Sequence, residues 1–138
     1  KLIHKYDIIG LFDHDVFPFT DNDIYKRAED YDFCGLSQIA NEREYLHPGY
    51  LFINTNRVRE DLEFMTAPGV DTGGQLSELI SRSKVLKFSY ELDPWLGHEI
   101  IDGKLMHFVK GSNWQGMNKD LHEQRIKTLF SRLRQITT

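Results

Sequence analysis

The chain has 138 residues, 40% of them hydrophobic and 28% charged, with a net charge of −4, which is the make-up of one globular domain with a core of its own. The acidic balance and the lack of any Lys/Arg run exclude a broad nucleic-acid-binding face. One cysteine, Cys34, excludes an internal disulfide and suits a reducing compartment, so the expected location is cytoplasmic.

No signal peptide or membrane-spanning run is visible. The chain opens without Met, on KLIHK, so a longer and membrane-associated parent is compatible with it. Residues 8–12 then form an apolar run (IIGLF) of the kind that a strand buried on both faces carries. It leads directly into Asp13-His14-Asp15. Two acids one residue apart alternate in direction along a strand and converge only if the chain turns, and Pro18 with Asp21-Asn22-Asp23 predicts a turn.

A short helix through Ala28, capped by Asp21 or Asn22, is predicted next. Residues 31–36 (YDFCGL) read as a second strand and residues 37–47 as a polar surface loop. Residues 49–54 (GYLFIN) are a strong strand signal. A helix is expected over 57–65, closed by Ala67-Pro68-Gly69. Leu76, Leu79 and Ile80 stand at helical spacing after Asp71-Thr72-Gly73-Gly74. Residues 85–90 look like a strand, and Asp102-Gly103 between residues 98–101 and 104–109 signals a hairpin. Residues 118–136 carry one apolar stripe on a helix otherwise rich in Arg and Lys. Strands and helices alternate, so the fold class expected is α/β, with a mixed, mostly parallel sheet flanked by helices.

Three clusters carry chemistry. Asp13 and Asp15 follow a buried-type strand, where acids are costly unless used or solvated. Hard oxygen ligands of this kind suit a divalent cation that carries a diphosphate. The plainer reading of so short a pattern is an acidic loop. In MHFVKGSNWQG (residues 106–116), the His107 imidazole can complete a cation's shell, Lys110 can offset phosphate charge, and Gly111 allows close backbone approach. Alone, that stretch reads better as a core histidine followed by an ordinary Gly-Ser-Asn turn, with Trp114 packing on the sheet. Asp71 either caps the helix that follows or orients a hydroxyl-bearing ligand at its start.

In this order, LFDHDVFPF, HPGYLFIN, DTGG and HFVKGSNW resemble the metal-binding, C-terminal portion of the catalytic domain of a GT-A-type nucleotide-sugar glycosyltransferase. The resemblance spans most of the chain. It implies that Asp13 and Asp15 ligate Mn²⁺ or Mg²⁺ on the donor diphosphate, with His107 as a third ligand. Lys110, Gly111 and Ser112 would lie beside the diphosphate, and Asp71 would face the transferred sugar or the acceptor hydroxyl, with Glu42 a distant second as a base. HFVKGSNW has one residue more between His and Gly than the commonest form. The implied partners are a nucleotide-sugar donor and a carbohydrate or other hydroxyl-bearing acceptor, with no nucleic acid. In this family the acidic strand follows a nucleotide-binding half, so residues 1–138 are expected to form a single glycosyltransferase-like domain that lacks that half and binds the donor weakly or not at all.

Two other classes compete. Haloacid-dehalogenase-like phosphatases also place two acids after an apolar strand, the first as nucleophile, but they usually continue with a small residue and Thr or Val, where this chain has Val16-Phe17-Pro18. A non-catalytic sugar-binding module would use Tyr45, Tyr50 and Trp114 as stacking surfaces instead.

Overall fold

The structure, a computed structural model, describes residues 6–18, 23–62, 64, 73–92, 98–108 and 118–136. The chain divides into two compact units. One comprises Lys1–Asp13 with Asp23–Phe88, the other His14–Asn22 with Ser89–Thr138.

The first unit is built on a four-stranded sheet. Strand β1 (Ile8–Phe12) runs antiparallel to β4 (Arg43–Asn54), with Ile8 opposite Asn54 and Phe12 opposite Tyr50. In turn, β4 pairs antiparallel with β3 (Phe33–Ala40), and β3 pairs in parallel with β5 (Val85–Lys87), giving the order β1-β4-β3-β5. The side chains of β4 alternate. Leu51 and Ile53 join Phe33, Val58, Leu76 and Ile80 in one core cluster, beneath a 3-10 turn at Gly74–Leu76 and helix α2 (Ser77–Ser81). Phe52 points the other way and meets Phe12 and Tyr25 edge-on at 5.3 Å. Tyr25 belongs to helix α1 (Ile24–Ala28). Both faces of β4 are therefore covered, which is why residues 50–53 are apolar without a break.

The second unit holds an antiparallel sheet of four three-residue strands: β2 (Val16–Pro18), β6 (Tyr90–Leu92), β7 (Glu99–Ile101) and β8 (Leu105–His107), in the order β2-β8-β7-β6. Pro18 sits on the edge strand β2, where its missing N–H breaks no ladder. The β7–β8 connection turns on Asp102 and Gly103, both with positive φ (55° and 63°), the left-handed geometry that favours an Asp-Gly pair. Helix α3 (Lys119–Ile136) starts where the Asn118 side chain accepts the N–H groups of Asp120 and Leu121. Its Ile126, Leu129 and Leu133 pack on Phe17, Ile100, Met106 and Phe108, whereas Leu121 and Phe130 of the same predicted stripe are 37% and 55% exposed. Among the described residues no helix is long and apolar enough to cross a membrane.

These sheets overturn the expected mostly parallel, helix-flanked arrangement, because among the described residues every strand pairing except β3–β5 is antiparallel. The polar stretch 37–47 is not a loop. It forms the paired ends of β3 and β4, joined by a two-residue turn at Asn41 and Glu42 (φ 50° and 62°). Its polar residues serve the exposed side of that ladder, where Glu44 bonds both Ser37 and Lys87. Of the helix expected over 57–65, residues 57–62 and 64 are described and are not helical, beyond one turn in which Arg57 and Val58 donate their N–H groups to the Asn54 carbonyl. Residues 85–90 divide between β5 and β6, which belong to different units.

Candidate metal centre

Histidine 107 is the last residue of β8, and strand register decides what it faces. Glu99 on β7 and Val16 on β2 lie directly opposite it. Cross-strand partners project from the same side of a sheet, and the Glu99 carboxylate accordingly reaches the ring, with Oε2 2.5 Å from Nδ1. Tyr90, on β6, donates its hydroxyl to the other oxygen, Oε1, at 3.3 Å. Burial, then the Glu99 charge and this hydrogen bond, push the Tyr90 hydroxyl above its usual pKa. On the other side of the ring stands Asp15, whose carbonyl accepts the Phe108 N–H at 2.8 Å. Its Oδ1 lies 3.6 Å from Nε2 of His107. The Asp15, Glu99 and His107 side chains are 13%, 20% and 16% exposed, sheltered enough that their charges are only partly screened by water.

The imidazole thus stands between two carboxylates that play unequal parts. At 2.5 Å the Glu99 contact is a short, charge-assisted hydrogen bond, which puts a proton on Nδ1. Asp15, at 3.6 Å, is beyond hydrogen-bond contact. A neutral ring with its proton on Nδ1 turns a lone pair toward Asp15, whereas a protonated ring forms ion pairs with Glu99 and Asp15. One nitrogen and one oxygen donor are two of the several ligands that a divalent cation takes. The nitrogen favours manganese over the oxygen-seeking magnesium. Glu99 is on the far side of the ring, so the three groups do not surround one point. Among the described residues no set of three or more His, Cys, Asp or Glu side chains does.

Asp13 belongs to the first unit, where its N–H donates to the Gly49 carbonyl at 2.8 Å and its exposed carboxylate lies against Gly49. Asp71, Lys110, Gly111 and Ser112 lie outside the described residues. Glu42 is exposed at the tip of the β3–β4 hairpin. Of the candidate residues, the structure therefore brings Asp15 and His107 together. It adds Glu99 and Tyr90, which sequence reasoning missed. Their signal was the Asp102-Gly103 turn, but that turn carries an extra residue, Lys104, before β8. A strict two-residue turn would have set Met106 opposite Glu99, and a one-residue shift exchanges the two faces of a strand.

Comparison with protein-family models, with curated proteins and with solved structures gives no match.

Proposed function

We propose that the chain carries the divalent-metal centre of a glycosyltransferase that moves a sugar from a nucleotide-sugar donor to a hydroxyl-bearing acceptor. The observation that carries this reading is the approach of Asp15 Oδ1 to His107 Nε2, 3.6 Å apart and both largely shielded from water. It joins an acid from the start of the chain to the imidazole of HFVKGSNW, the pairing on which the motif order depends. The reading rests on this site and on the motifs, and the sheet topology adds nothing to it.

Asp15 and His107 would be two of the ligands that hold Mn²⁺ or Mg²⁺. Bound there, such an ion supplies Lewis-acid stabilisation of the charge that builds on a departing diphosphate. Lys110, with the backbone around Gly111 and Ser112, adds positive charge and N–H donors for the same oxygens. Asp71 serves as base toward the acceptor hydroxyl if the transfer inverts configuration.

The test is a Mn²⁺ titration followed by electron paramagnetic resonance, on the parent, Asp15→Ala and His107→Ala. It is coupled to release of nucleoside diphosphate from a panel of nucleotide sugars with and without EDTA. Weaker Mn²⁺ binding in both variants and EDTA-sensitive release are expected. Equal Mn²⁺ affinity in all three proteins would overturn the reading.

A further inference from the structure

Strand β1 lies at the edge of the first sheet, with β4 as its neighbour on one side. In an antiparallel pair, alternate residues turn their N–H and C=O groups toward the partner strand. The bonds from Asp13 N–H to Gly49 O and from Thr55 N–H to Asp7 O continue the β1–β4 register and show which residues do so. Asp7, Ile9, Leu11 and Asp13 face β4, so Ile8, Gly10 and Phe12 turn their backbone groups outward. Among the described residues no strand pairs with that outer side.

The strands at the other sheet edges are three residues long, and each carries a guard against further pairing: Pro18 in β2, Lys87 in β5 and Glu91 in β6. Strand β1 has five residues, IIGLF, with neither a charge nor a proline. Its Phe12 is 43% exposed and the adjacent Tyr6 55%. The Phe12 ring leans back along the strand, with Cε2 2.9 Å from where a β-carbon on Gly10 would sit.

We propose that β1 is a docking edge for a second copy of this chain, the two β1 strands pairing antiparallel about Gly10 in a two-fold dimer. This does not depend on the function proposed above. Any extended chain can meet the backbone groups, but the side chains select the copy. Pairing about Gly10 sets Ile8 opposite Phe12 of the second copy, and Phe12 opposite its Ile8. Each is an aromatic residue against a β-branched one, a favoured cross-strand pair. Gly10 meets Gly10, and two missing β-carbons leave the axis open for the Phe12 rings that lean over it. No charged side chain of β1 is buried in the process. Each copy uses the same residues, so the contact closes at two and leaves no open β1 edge.

Sedimentation equilibrium of the 138-residue chain tests this. One strand pair makes a small interface, so the expected dimer is weak, with a Kd below about 1 mM. Ile8→Pro removes an outward N–H and no bond to β4, at the first residue of the strand, where proline is tolerated. It should raise Kd at least about tenfold, with thermal unfolding as the check that the fold is kept. A charged set reads the register and decides also if Ile8→Pro fails to fold. Ile8→Lys and Phe12→Glu each set a charge against an apolar residue and should weaken the dimer. The double variant Ile8→Lys/Phe12→Glu sets a cation opposite an anion in both cross-pairs and should associate several-fold more tightly than either single variant.

A parent that stays monomeric throughout this range overturns the proposal, even if it takes up an extended peptide of another sequence. A dimer that these variants leave as tight as the parent's also overturns it, because the contact then runs through another surface. A double variant no tighter than the single ones overturns the pairing about Gly10.

Discussion

The carboxylate of Asp13 rests on Gly49 so closely that a β-carbon at residue 49 would overlap it. The backbone links the same two residues, Asp13 N–H to Gly49 O at 2.8 Å, just beyond the Phe12–Tyr50 pair of β1 and β4. Gly49 does not have positive φ, so it is needed for space, not for an unusual backbone. In Gly49→Ala the groups that must yield are the tips of Asp13 and His47, not backbone. The loss of stability should therefore stay within about 1 kcal/mol. Thermal unfolding of the variant checks this, and a loss several times larger would mean that the backbone around Gly49 must shift as well.

A buried asparagine ties the end of β4 to the end of α1. The Asn54 amide nitrogen donates to the carbonyls of Ala28 and Glu29, both at 3.1 Å, and its oxygen accepts the Asn56 N–H at 3.1 Å. The two carbonyls lie at the helix C-terminus, where no helical partner is left for them. Asn54→Ala removes all three bonds and should cost about 2–4 kcal/mol. Asn54→Asp has the same shape but sets a carboxylate against two carbonyl oxygens, so it should cost at least as much at neutral pH. Urea unfolding of both variants decides. An Asp variant as stable as the parent would show that donation to α1 does not matter.

The apolar runs at 8–12 and 50–53 announced buried strands, and β4 is one, but β1 is an edge strand only half-buried, with Phe12 43% exposed. Their direction was not legible. An unbroken apolar run says that both faces are covered, which is usual in parallel sheets. Here the same condition arises in an antiparallel sheet, with Ile53 and Leu51 under α2 and Phe52 against Tyr25 of α1. What sets the direction is the turn at Asn41-Glu42, and it carries no glycine to mark it. The site divides in the same way. Asp15 and His107 are readable from residue type and motif. Glu99 enters only through register, which depends on the single extra residue, Lys104, after Asp102-Gly103.

That glycine-free turn carries a conformational cost. Glu42 adopts φ 62° and Asn41 φ 50°, a region where an ordinary L-residue is destabilised by about 1–2 kcal/mol and asparagine by less. Replacing Glu42 with Gly relieves the strain but adds freedom to the unfolded chain. The net gain expected is about 0.5 kcal/mol, seen as a higher urea midpoint with unchanged slope. A lower midpoint would mean that the Glu42 side chain contributes more than its backbone costs.

Asp32 should make the first unit acid-sensitive. Its Oδ1 accepts Arg57 Nε at 2.8 Å and its Oδ2 accepts the Lys84 N–H at 2.8 Å, so one side chain joins the segment after β4 to the segment before β5. Partial burial pushes this carboxyl up, but the Lys84 N–H, the Arg57 hydrogen bond and the charges of Arg57 and Lys84 together outweigh it and hold the group below its ordinary 3.8. A folded-state value below the unfolded one means that the charged form is favoured by folding. Its contribution is complete above about pH 4, where an unfolded Asp is already ionised, and it is lost as pH falls through the lowered folded value. Asp32→Asn keeps one acceptor for Lys84 but no charge for Arg57. It should lower stability by about 1 kcal/mol at neutral pH, and its loss of stability below about pH 4 should be shallower than the parent's. Urea midpoints across an acid series check the sign. Parallel pH profiles for the two proteins would show that the clasp holds equally well without its charge.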